Sequence, residues 1–377
     1  MKKSKTKISY STSGVNLDIG NIASKILYDA AKKTWQNREK KFGNIFSPFD
    51  DFSGLRAIKI GGLKKNIVAC LGFDGVGTKI EIAERVGNHT TIAFDLFAMV
   101  CDDAVVRGGE PVIIGSVLDI NSLSKKNNGI EIIQQLATGY VNAAKESNVA
   151  VINGELAELG SRISGFGNFN YTWSSGILWI AEEKNLISGK NIKVGDILIG
   201  LEETGFRSNG ISLVRKILSE KFGGNWHQKK LNGKKLGEII LHPSKIFCKS
   251  IVKIIGGILY SPKAKISGIA HITGGGIPEK LGRMLKPSDF GAIIDNPIDA
   301  PEIMNYCAKI GNINLKEMYR SWNMGTGMIL SANKNEVEKI ISILKKEKIN
   351  TKIIGKIISD KKIIINTKNN NIEFPLK

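Results

Sequence analysis

An apolar run that ends in a glycine-rich turn is the feature that most constrains the fold of this 377-residue chain. Residues 66–71 have the apolar character of a β-strand, and the next seven residues contain Gly72, Gly75 and Gly77. Residues 79–86 then follow the pattern of a helix. Glycines permit the positive φ angles of a concave turn, in which several backbone N–H groups point at one position. The segment therefore predicts a strand, a turn and a helix that together could bind an anion.

The same turn carries side chains that suit a polyphosphate. Asp74 supplies a carboxylate that could hold Mg²⁺, Thr78 a hydroxyl and Lys79 a positive charge. The segment matches neither the GxxxxGK[ST] nor the GxGxxG pattern. On these residues alone, a tight turn with a solvated lysine is an equally good interpretation.

More carboxylates follow in the next apolar stretch. We predict a helix over residues 96–107 with Asp95 at its N-cap, and with Asp102 and Asp103 two turns later on the same face. Acids on an apolar helix are costly to bury unless they are paired or bind a cation. A capping residue and two solvated acids explain the same pattern without a metal.

A further pair of acids, Glu155 and Glu158, follows a strand-like run at residues 149–152. Ligand sites of alternating α/β chains tend to form just past strand ends. The pattern therefore places Glu155 among the candidate metal ligands.

Two segments in the second half are also candidate anion-binding sites. They comprise Ser208, Asn209 and Gly210, and Thr273, Gly274, Gly275 and Gly276. The first precedes a predicted helix over residues 211–222, whose first-turn N–H groups could bind a ribose phosphate, although a simple helix cap explains it too. The second follows a predicted strand, and its consecutive glycines cost backbone entropy, so an anion-binding turn is its simplest explanation. His271 directly precedes this turn and could act in proton transfer or phosphate binding, although a lone histidine is more often structural.

Seven segments together resemble the phosphoribosylformylglycinamidine cyclo-ligase (aminoimidazole ribonucleotide synthetase) family, in the family's order. They are residues 13–21, 74–79, 103–111, 154–158, 208–216, 270–276 and 318–328. The resemblance implies an ATP-dependent enzyme of purine biosynthesis that converts formylglycinamidine ribonucleotide to aminoimidazole ribonucleotide, ADP and phosphate. In this reaction ATP phosphorylates the formamide oxygen, the amidine nitrogen attacks the same carbon, and phosphate departs.

The resemblance also implies roles for individual residues, with ATP and Mg²⁺ as cofactors. The metal ligands would be Asp74, Asp95, Asp103 and Glu155, and the ATP-binding residues Asp74, Gly75, Gly77, Thr78 and Lys79. The substrate phosphate would be held by Ser208, Asn209, Gly210, Thr273, Gly274, Gly275 and Gly276. The catalytic residues would be His271, Lys79 and Asp103.

The fold implied is α+β with two domains. Residues 1–181 would form an N-terminal domain for ATP, Mg²⁺ and dimerisation, and residues 182–377 a C-terminal α/β sandwich-like domain that completes the substrate cleft. In the family the N-terminal domains pair into a β-barrel across a homodimer.

The chain departs from the family pattern at several positions, of which two bear on the chemistry. Ser11 stands where members commonly have lysine, and Arg207 stands where many have histidine before the Ser-Asn-Gly segment. Arginine keeps a positive charge but cannot act as a base near neutral pH. Other ATP-using enzymes of the same superfamily, among them formylglycinamidine ribonucleotide synthase and small-molecule kinases, remain the alternative.

Composition limits the other classes of protein to which the chain could belong. The net charge of +19 invites a nucleic-acid-binding interpretation, but the excess comes from dispersed lysines without a basic arm or RNA motif, so we expect no specific nucleic-acid partner. No apolar stretch has the length of a membrane span, and the four cysteines lack metal-ligand spacing. We therefore expect a soluble, cytoplasmic protein without a membrane partner.

Overall fold

The computed structural model describes residues 17–46, 57–58, 60, 66–124, 127–368 and 370–376. Ser11 and residues 13–16 of the first family-like segment lie outside the described residues. Within these ranges no helix is long and apolar enough to cross a membrane.

The first half is built on a four-stranded sheet that follows a short antiparallel pair, β1 (Ile45–Phe46) and β2 (Ala57–Ile58). The sheet strands are β3 (Ile67–Gly75), β4 (Glu110–Ile120), β5 (Ala150–Glu158) and β6 (Tyr171–Glu182). Their order is β3-β6-β4-β5, antiparallel except for the parallel pair β4 and β5.

Helices cover one face of this sheet. The helices of the first half are α1 (Leu17–Thr34), α2 (Ile80–Val86), α3 (Ile92–Val106) and α4 (Gly129–Ser147). Helix α1 packs on α4 and β5, and α3 packs on α4, β3 and β6. The opposite face of the sheet is open: Leu71 is 63%, Phe73 78% and Val117 44% exposed. One side of this sheet is thus a core and the other an uncovered apolar surface.

The second half is built on a seven-stranded sheet and a small hairpin, β8 (Lys230–Leu231) with β9 (Lys234–Lys235). The sheet strands are β7 (Ile197–Glu202), β10 (Gly268–His271), β11 (Gly291–Ile294), β12 (Thr326–Ala332), β13 (Thr351–Ile358), β14 (Lys362–Asn366) and β15 (Asn371–Pro375). Their order is β10-β12-β7-β13-β11-β14-β15, with β11 and β14 the parallel pair.

The helices of the second half are α5 (Ile211–Phe222), α6 (Leu236–Ile240), α7 (Cys248–Ile255), α8 (Gly276–Leu285), α9 (Glu302–Gly311), α10 (Leu315–Ser321) and α11 (Lys334–Lys346). Helix α8 packs on β10, and α11 packs on β7 and β13. The two sheets are joined by residues 183–196, and the predicted division after residue 181 stays a prediction.

Helix α3 lies between the two halves. Twelve of its fifteen residues are buried, because it packs on the first sheet on one side and on β10 and α7 on the other. A helix buried all round has no polar stripe to mark where it begins. The prediction of Asp95 as its N-cap is therefore wrong: the helix begins at Ile92, and Asp95 lies inside its first turn.

Two other local predictions need correction. Strand β5 does not end at residue 152 but continues to Glu158, so Glu155 lies within the strand rather than past its end. Asp102 and Asp103 do not share one environment: the side chain of Asp102 is fully buried, whereas that of Asp103 is 60% exposed. Adjacent helical residues point about 100° apart, so one of the pair turns inward and the other outward.

The buried histidine His89 gives the fold a predictable acid sensitivity. Burial lowers the pKa of His89 to about 4, and its Nδ1 lies 2.9 Å from the Tyr171 hydroxyl. The unfolded chain takes up this proton near pH 6.5, before the folded chain does, so the contribution is complete above pH 6.5 and is lost as the pH falls toward 4. We expect His89 to account for about 2 kcal/mol of lost stability between pH 7 and pH 5.

Urea unfolding of the parent and of His89→Gln at the two pH values measures this. The variant should lose less stability on acidification than the parent. An identical loss in both proteins would place the acid sensitivity elsewhere.

Candidate functional site

A buried ion pair between the two halves organises the site. Arg207 Nη2 lies 3.1 Å from Asp102 Oδ2 at the end of α3, and both side chains are almost completely buried. The other oxygen of Asp102 accepts hydrogen bonds from the backbone N–H groups of Phe247 and Cys248, at the start of α7. Burial raises the pKa of Asp102, and the charge of Arg207 opposes that rise. The carboxylate thus ties α3 of the first half to α7 of the second.

Arg207 uses its guanidinium in several directions. Its Nη1 donates to Glu203 Oε2 and to the Lys245 carbonyl, both at 2.9 Å. Burial alone would lower the pKa of Arg207, but the charges of Glu203 and Asp102 raise it. Arg207 is therefore a buried, permanently charged structural centre and not a solvated loop residue.

His271 is held at both ring nitrogens. Arg207 Nη2 lies 2.8 Å from His271 Nε2, and Asp103 Oδ1 lies 2.7 Å from His271 Nδ1. Because arginine can only donate, Nε2 must accept, and the ring proton must lie on Nδ1, where it is donated to Asp103. The geometry favours a His271 that orients Asp103. The predicted role in proton transfer stays a prediction.

Two carboxylates and a lysine meet beside His271. Burial raises the pKa of Asp74, and the charge of Asp103 raises it further. Burial would also raise the pKa of Asp103, but the hydrogen bond from His271 lowers it below its ordinary value. Lys280 of α8 and Asp103 line the same cavity of about 220 Å³, and burial lowers the pKa of Lys280. Such a pair of acids is suited to a cation.

The sequence interpretation missed Lys280. It lies four residues after the glycine turn, on the first turns of α8. One lysine among the many in this chain carries no pattern of its own, and only the tertiary structure brings it to Asp74 and Asp103.

Lys79 and Asp95 are engaged with each other. Lys79 Nζ lies 2.7 Å from Asp95 Oδ1 and 2.6 Å from the His242 carbonyl of the second half, and both side chains are fully buried. Ser244 also donates to the same Asp95 oxygen. In this arrangement neither Lys79 nor Asp95 is presented to a ligand, although Asp95 Oδ2 has no hydrogen-bond partner.

The glycine turn of the first half contacts the predicted phosphate-binding helix of the second. The Thr78 hydroxyl lies 3.1 Å from that of Ser212, in the first turn of α5. Gly210, with φ of 75°, precedes this helix and replaces the expected Ser or Asn cap. Ser208 Oγ and Asn209 Oδ1 are instead buried without a hydrogen-bond partner. These free polar atoms, next to a helix N-terminus, are what an anion site offers.

The second glycine turn lies alongside the first segment. A Cβ on Gly274 would lie 3.5 Å from Asn209 Nδ2, so the turn and the Ser-Asn-Gly segment are neighbours. Gly275 and Gly276 have φ of 88° and 62°, which L side chains rarely adopt. A Cβ on Gly276 would lie 2.0 Å from the Tyr319 carbonyl. The turn thus requires glycine for its conformation at two positions and for close packing at one.

Glu155 does not join this group. Asp74 pairs in register with Ser175, Ser175 with Ser116, and Ser116 with Gly154, so β3 and β5 are the two edges of the sheet. Three strand spacings of roughly 4.8 Å separate the rows by about 14 Å. Glu155 lines a cavity of about 350 Å³ beneath α1 and, at the far edge from Asp74, the open groove of about 820 Å³ on the uncovered face of the sheet. One metal ion cannot bind Glu155 and Asp74 of the same chain.

Comparison with protein families decides the relationship. Residues 57–172 match the family of AIR synthase related proteins, N-terminal domain, and residues 193–368 match the corresponding C-terminal domain. The chain belongs to the AIR synthase family. The two matched regions contain strands β3 to β5 and β7 to β14 and all the site residues described above.

Curated members of the AIR synthase family are similar over nearly the whole chain. A phosphoribosylformylglycinamidine cyclo-ligase of Thermoanaerobacter sp. (strain X514) is 35% identical over 93% of this chain and 98% of that protein. One of Methanobrevibacter smithii is 34% identical over 96% of this chain and 97% of that protein.

Solved structures share the fold at low identity. Thiamine-monophosphate kinase from Stenotrophomonas maltophilia K279a has a TM-score of 0.60 at 11% identity, covering 89% of this chain and 96% of that one. Hydrogenase maturation protein HypE in complex with ATP has a TM-score of 0.57 at 12% identity, covering 85% of this chain and 87% of that one. These likenesses concern the fold of the AIR synthase family and not its substrate.

Proposed function

We propose that this protein is a phosphoribosylformylglycinamidine cyclo-ligase, which uses ATP to close the imidazole ring of aminoimidazole ribonucleotide. The observation that carries the proposal is the junction between the two halves. There a pair of carboxylates, Asp74 and Asp103, stands beside two glycine-bearing turns in a chain that matches both AIR synthase domains. Such a reaction rests on positioning and charge neutralisation more than on covalent catalysis.

We propose Asp74 and Asp103 as the Mg²⁺ ligands. Their fit rests on the chemistry of the donor set, since the two are carboxylates whose charges act on each other, and a cation between them would offset the burial and repulsion that raise the pKa of Asp74. Mg²⁺ would neutralise phosphate charge in the transferring group. Lys280 would bind a phosphate oxygen, and His271 would hold Asp103 in place. Glu155 and the Lys79–Asp95 pair are left out of this set.

We propose that the substrate phosphate binds between Ser208, Asn209 and the turn at residues 273–276. The support is the pair of unpartnered buried atoms on Ser208 and Asn209, together with the N-terminus of the twelve-residue helix α5. The contact between Thr78 and Ser212 supports a position of the two proposed ligand regions next to each other. ATP and the ribonucleotide would therefore meet at the junction of the two halves.

Two glycine substitutions separate binding from folding. Gly276→Ala should destabilise the protein by 2 kcal/mol or more as an order of magnitude, because the new methyl group meets the Tyr319 carbonyl. Gly274→Ala should fold normally, since its nearest neighbour would be Asn209 Nδ2 at 3.5 Å. The methyl group would nevertheless occupy the phosphate position and raise the KM for the ribonucleotide about tenfold. Urea unfolding and steady-state kinetics of both variants measure this; an unchanged KM in Gly274→Ala would remove the turn from the site.

We propose that a second copy of the chain covers the open face of the first sheet and closes a β-barrel. The support is the row of exposed apolar side chains on that face. Among them, Leu71, Phe73 and Val117 line an open groove of about 820 Å³. An apolar sheet face of this extent is seldom left in water.

Leu71→Glu tests the dimer. The charge should convert a dimer to a monomer in sedimentation experiments, because a carboxylate in an apolar interface is strongly unfavourable. Ile353→Glu is the matched control, since Ile353 is also an exposed strand residue, 47% exposed, but lies in the second sheet. A parent protein that sediments as a monomer, or equal dissociation of both variants, would contradict the proposal.

The reaction itself is tested directly. Purified protein is incubated with formylglycinamidine ribonucleotide and Mg-ATP, and aminoimidazole ribonucleotide and ADP are measured. Stoichiometric product supports the proposal. ATP consumption only with formylglycinamide ribonucleotide and an amide donor, or with thiamine phosphate, would instead favour another activity of the superfamily.

A further inference from the structure

Three buried polar atoms without a partner lie close together at the start of α5. They are Ser208 Oγ, Asn209 Oδ1 and the indole Nε1 of Trp322. Ser208 is 6% exposed and Trp322 1%. An unsatisfied buried polar group is destabilising, and native proteins rarely leave several at one place without a ligand.

Trp322 is fixed in this position by its neighbours. A Cβ on Gly210 would lie 2.4 Å from Cδ1 and 2.9 Å from Nε1 of Trp322, so the nitrogen edge of the indole lies against Gly210. Phe206 packs on the same ring, with centroids 5.4 Å apart at 70°. Gly210 is the residue between Asn209 and α5. The indole N–H is therefore held at the same helix N-terminus as the other two unpartnered atoms.

The hydrogen-bond donors and acceptors of the three groups indicate which ligand would be complementary to them. The indole N–H of Trp322 can only donate, and the Ser208 hydroxyl can donate to the same acceptor. The N-terminus of α5 adds backbone N–H groups and the positive end of the helix dipole. Asn209 Oδ1 accepts a hydrogen bond, as from a sugar hydroxyl. A phosphate carried on a pentose supplies both the acceptor oxygens and the hydroxyl.

We infer that Trp322 is a ligand-binding residue whose indole N–H donates to the phosphate of the ribonucleotide substrate. This inference rests on the proposed function, and it gives a role to Trp322, which the sequence interpretation did not assign to the site. Trp322 acts as a specificity determinant for the sugar phosphate, because the loss of the donor affects that group and not ATP.

Trp322→Phe removes the N–H donor and keeps an aromatic ring, although the smaller ring also leaves part of the indole volume unfilled. Trp226→Phe is the matched control, since Trp226 is equally buried, 1% exposed, and lies in the second half outside the phosphate site. Three quantities are measured for the parent and both variants. They are the dissociation constant of ribose 5-phosphate by calorimetry, the melting temperature without ligand, and the KM values for the ribonucleotide and for ATP.

We expect Trp322→Phe to weaken ribose 5-phosphate binding and to raise the KM of the ribonucleotide about tenfold, with the KM of ATP within about twofold of the parent. Its melting temperature without ligand should fall no further than that of Trp226→Phe, because both variants lose the same ring volume and Trp322→Phe also removes an unsatisfied donor. Trp226→Phe should leave both KM values unchanged. An unaltered dissociation constant in Trp322→Phe, or equal effects in the two variants, would overturn the inference.

Failure of the proposed function has a different signature. If the parent protein binds ribose 5-phosphate through Trp322 but forms no aminoimidazole ribonucleotide, the inference about Trp322 is supported and the proposed reaction is contradicted.

Discussion

Replacing Asp74 with asparagine is expected to lower the turnover of ATP about 100-fold or more and to leave the fold intact. Asp74 lies at the end of β3, and its raised pKa reflects burial and then the nearby charge of Asp103. Asparagine keeps an oxygen that can accept the hydrogen bond from the Gly75 N–H, which is 2.7 Å long in the parent. It removes the negative charge that a Mg²⁺ ion requires. The folded protein should be at least as stable, because two like charges no longer face each other.

The measurement is a steady-state rate at several Mg²⁺ concentrations, together with a thermal melt. Asp289→Asn is the control, because the Asp289 side chain is 70% exposed, forms a surface ion pair with Lys361 and is not one of the site residues described above. Activity of Asp74→Asn near that of the parent at saturating Mg²⁺ would remove Asp74 from the metal site.

Replacing Arg207 with methionine is expected to destabilise the protein by roughly 3–5 kcal/mol. The variant would leave two buried carboxylates, Asp102 and Glu203, without their shared cation. It would also free His271 Nε2, so that the ring is no longer fixed with its proton on Nδ1 toward Asp103. Activity should therefore fall even at temperatures at which the variant is folded.

Urea unfolding measures the stability, and the double variant Asp102→Asn with Arg207→Met should recover part of the loss because one buried charge is removed with its partner. Arg283→Met is the control for stability, since the Arg283 side chain is 64% exposed and forms its ion pair with Glu279 of its own helix. Equal unfolding free energies for Arg207→Met and the parent would contradict the role of Arg207 as the central cation.

Much of the fold could be predicted from the sequence where one face is buried and the other is polar. The helix at residues 211–222 has the predicted bounds, because amphipathic periodicity and flanking turn residues mark both ends. The start of α3 could not be predicted, since the helix is buried on nearly all sides. The extension of β5 past residue 152 was missed because Asn, Gly and Glu residues have low strand propensity. The pairing of β5 with β4 overrides this low propensity.

The site was predictable in its glycine turns and not in its cross-domain partners. The segments around Asp74, Ser208 and Thr273 carry local signals, and the structure brings all three to the junction of the two halves. Lys280 and Trp322 have no such signal, since a lysine in a lysine-rich chain and a buried tryptophan are unremarkable in sequence. The pairing of Lys79 with Asp95 depends on distances across the fold that no spacing along the chain reveals.

The buried ion pairs of α3 also restrict how the enzyme can move. Lys79, which is paired with Asp95, also donates a hydrogen bond to the His242 carbonyl of the second half. Asp102 accepts hydrogen bonds from Arg207 and from the first N–H groups of α7. Each buried ion pair is therefore bonded across the junction between the two halves. A hinge motion that parted the two halves would expose these charges one partner at a time, at a cost of several kcal/mol. The two halves are therefore expected to behave as one rigid body during turnover. Access for substrates and release of products must then come from loop movements at the rim of the cleft and not from opening of the domains.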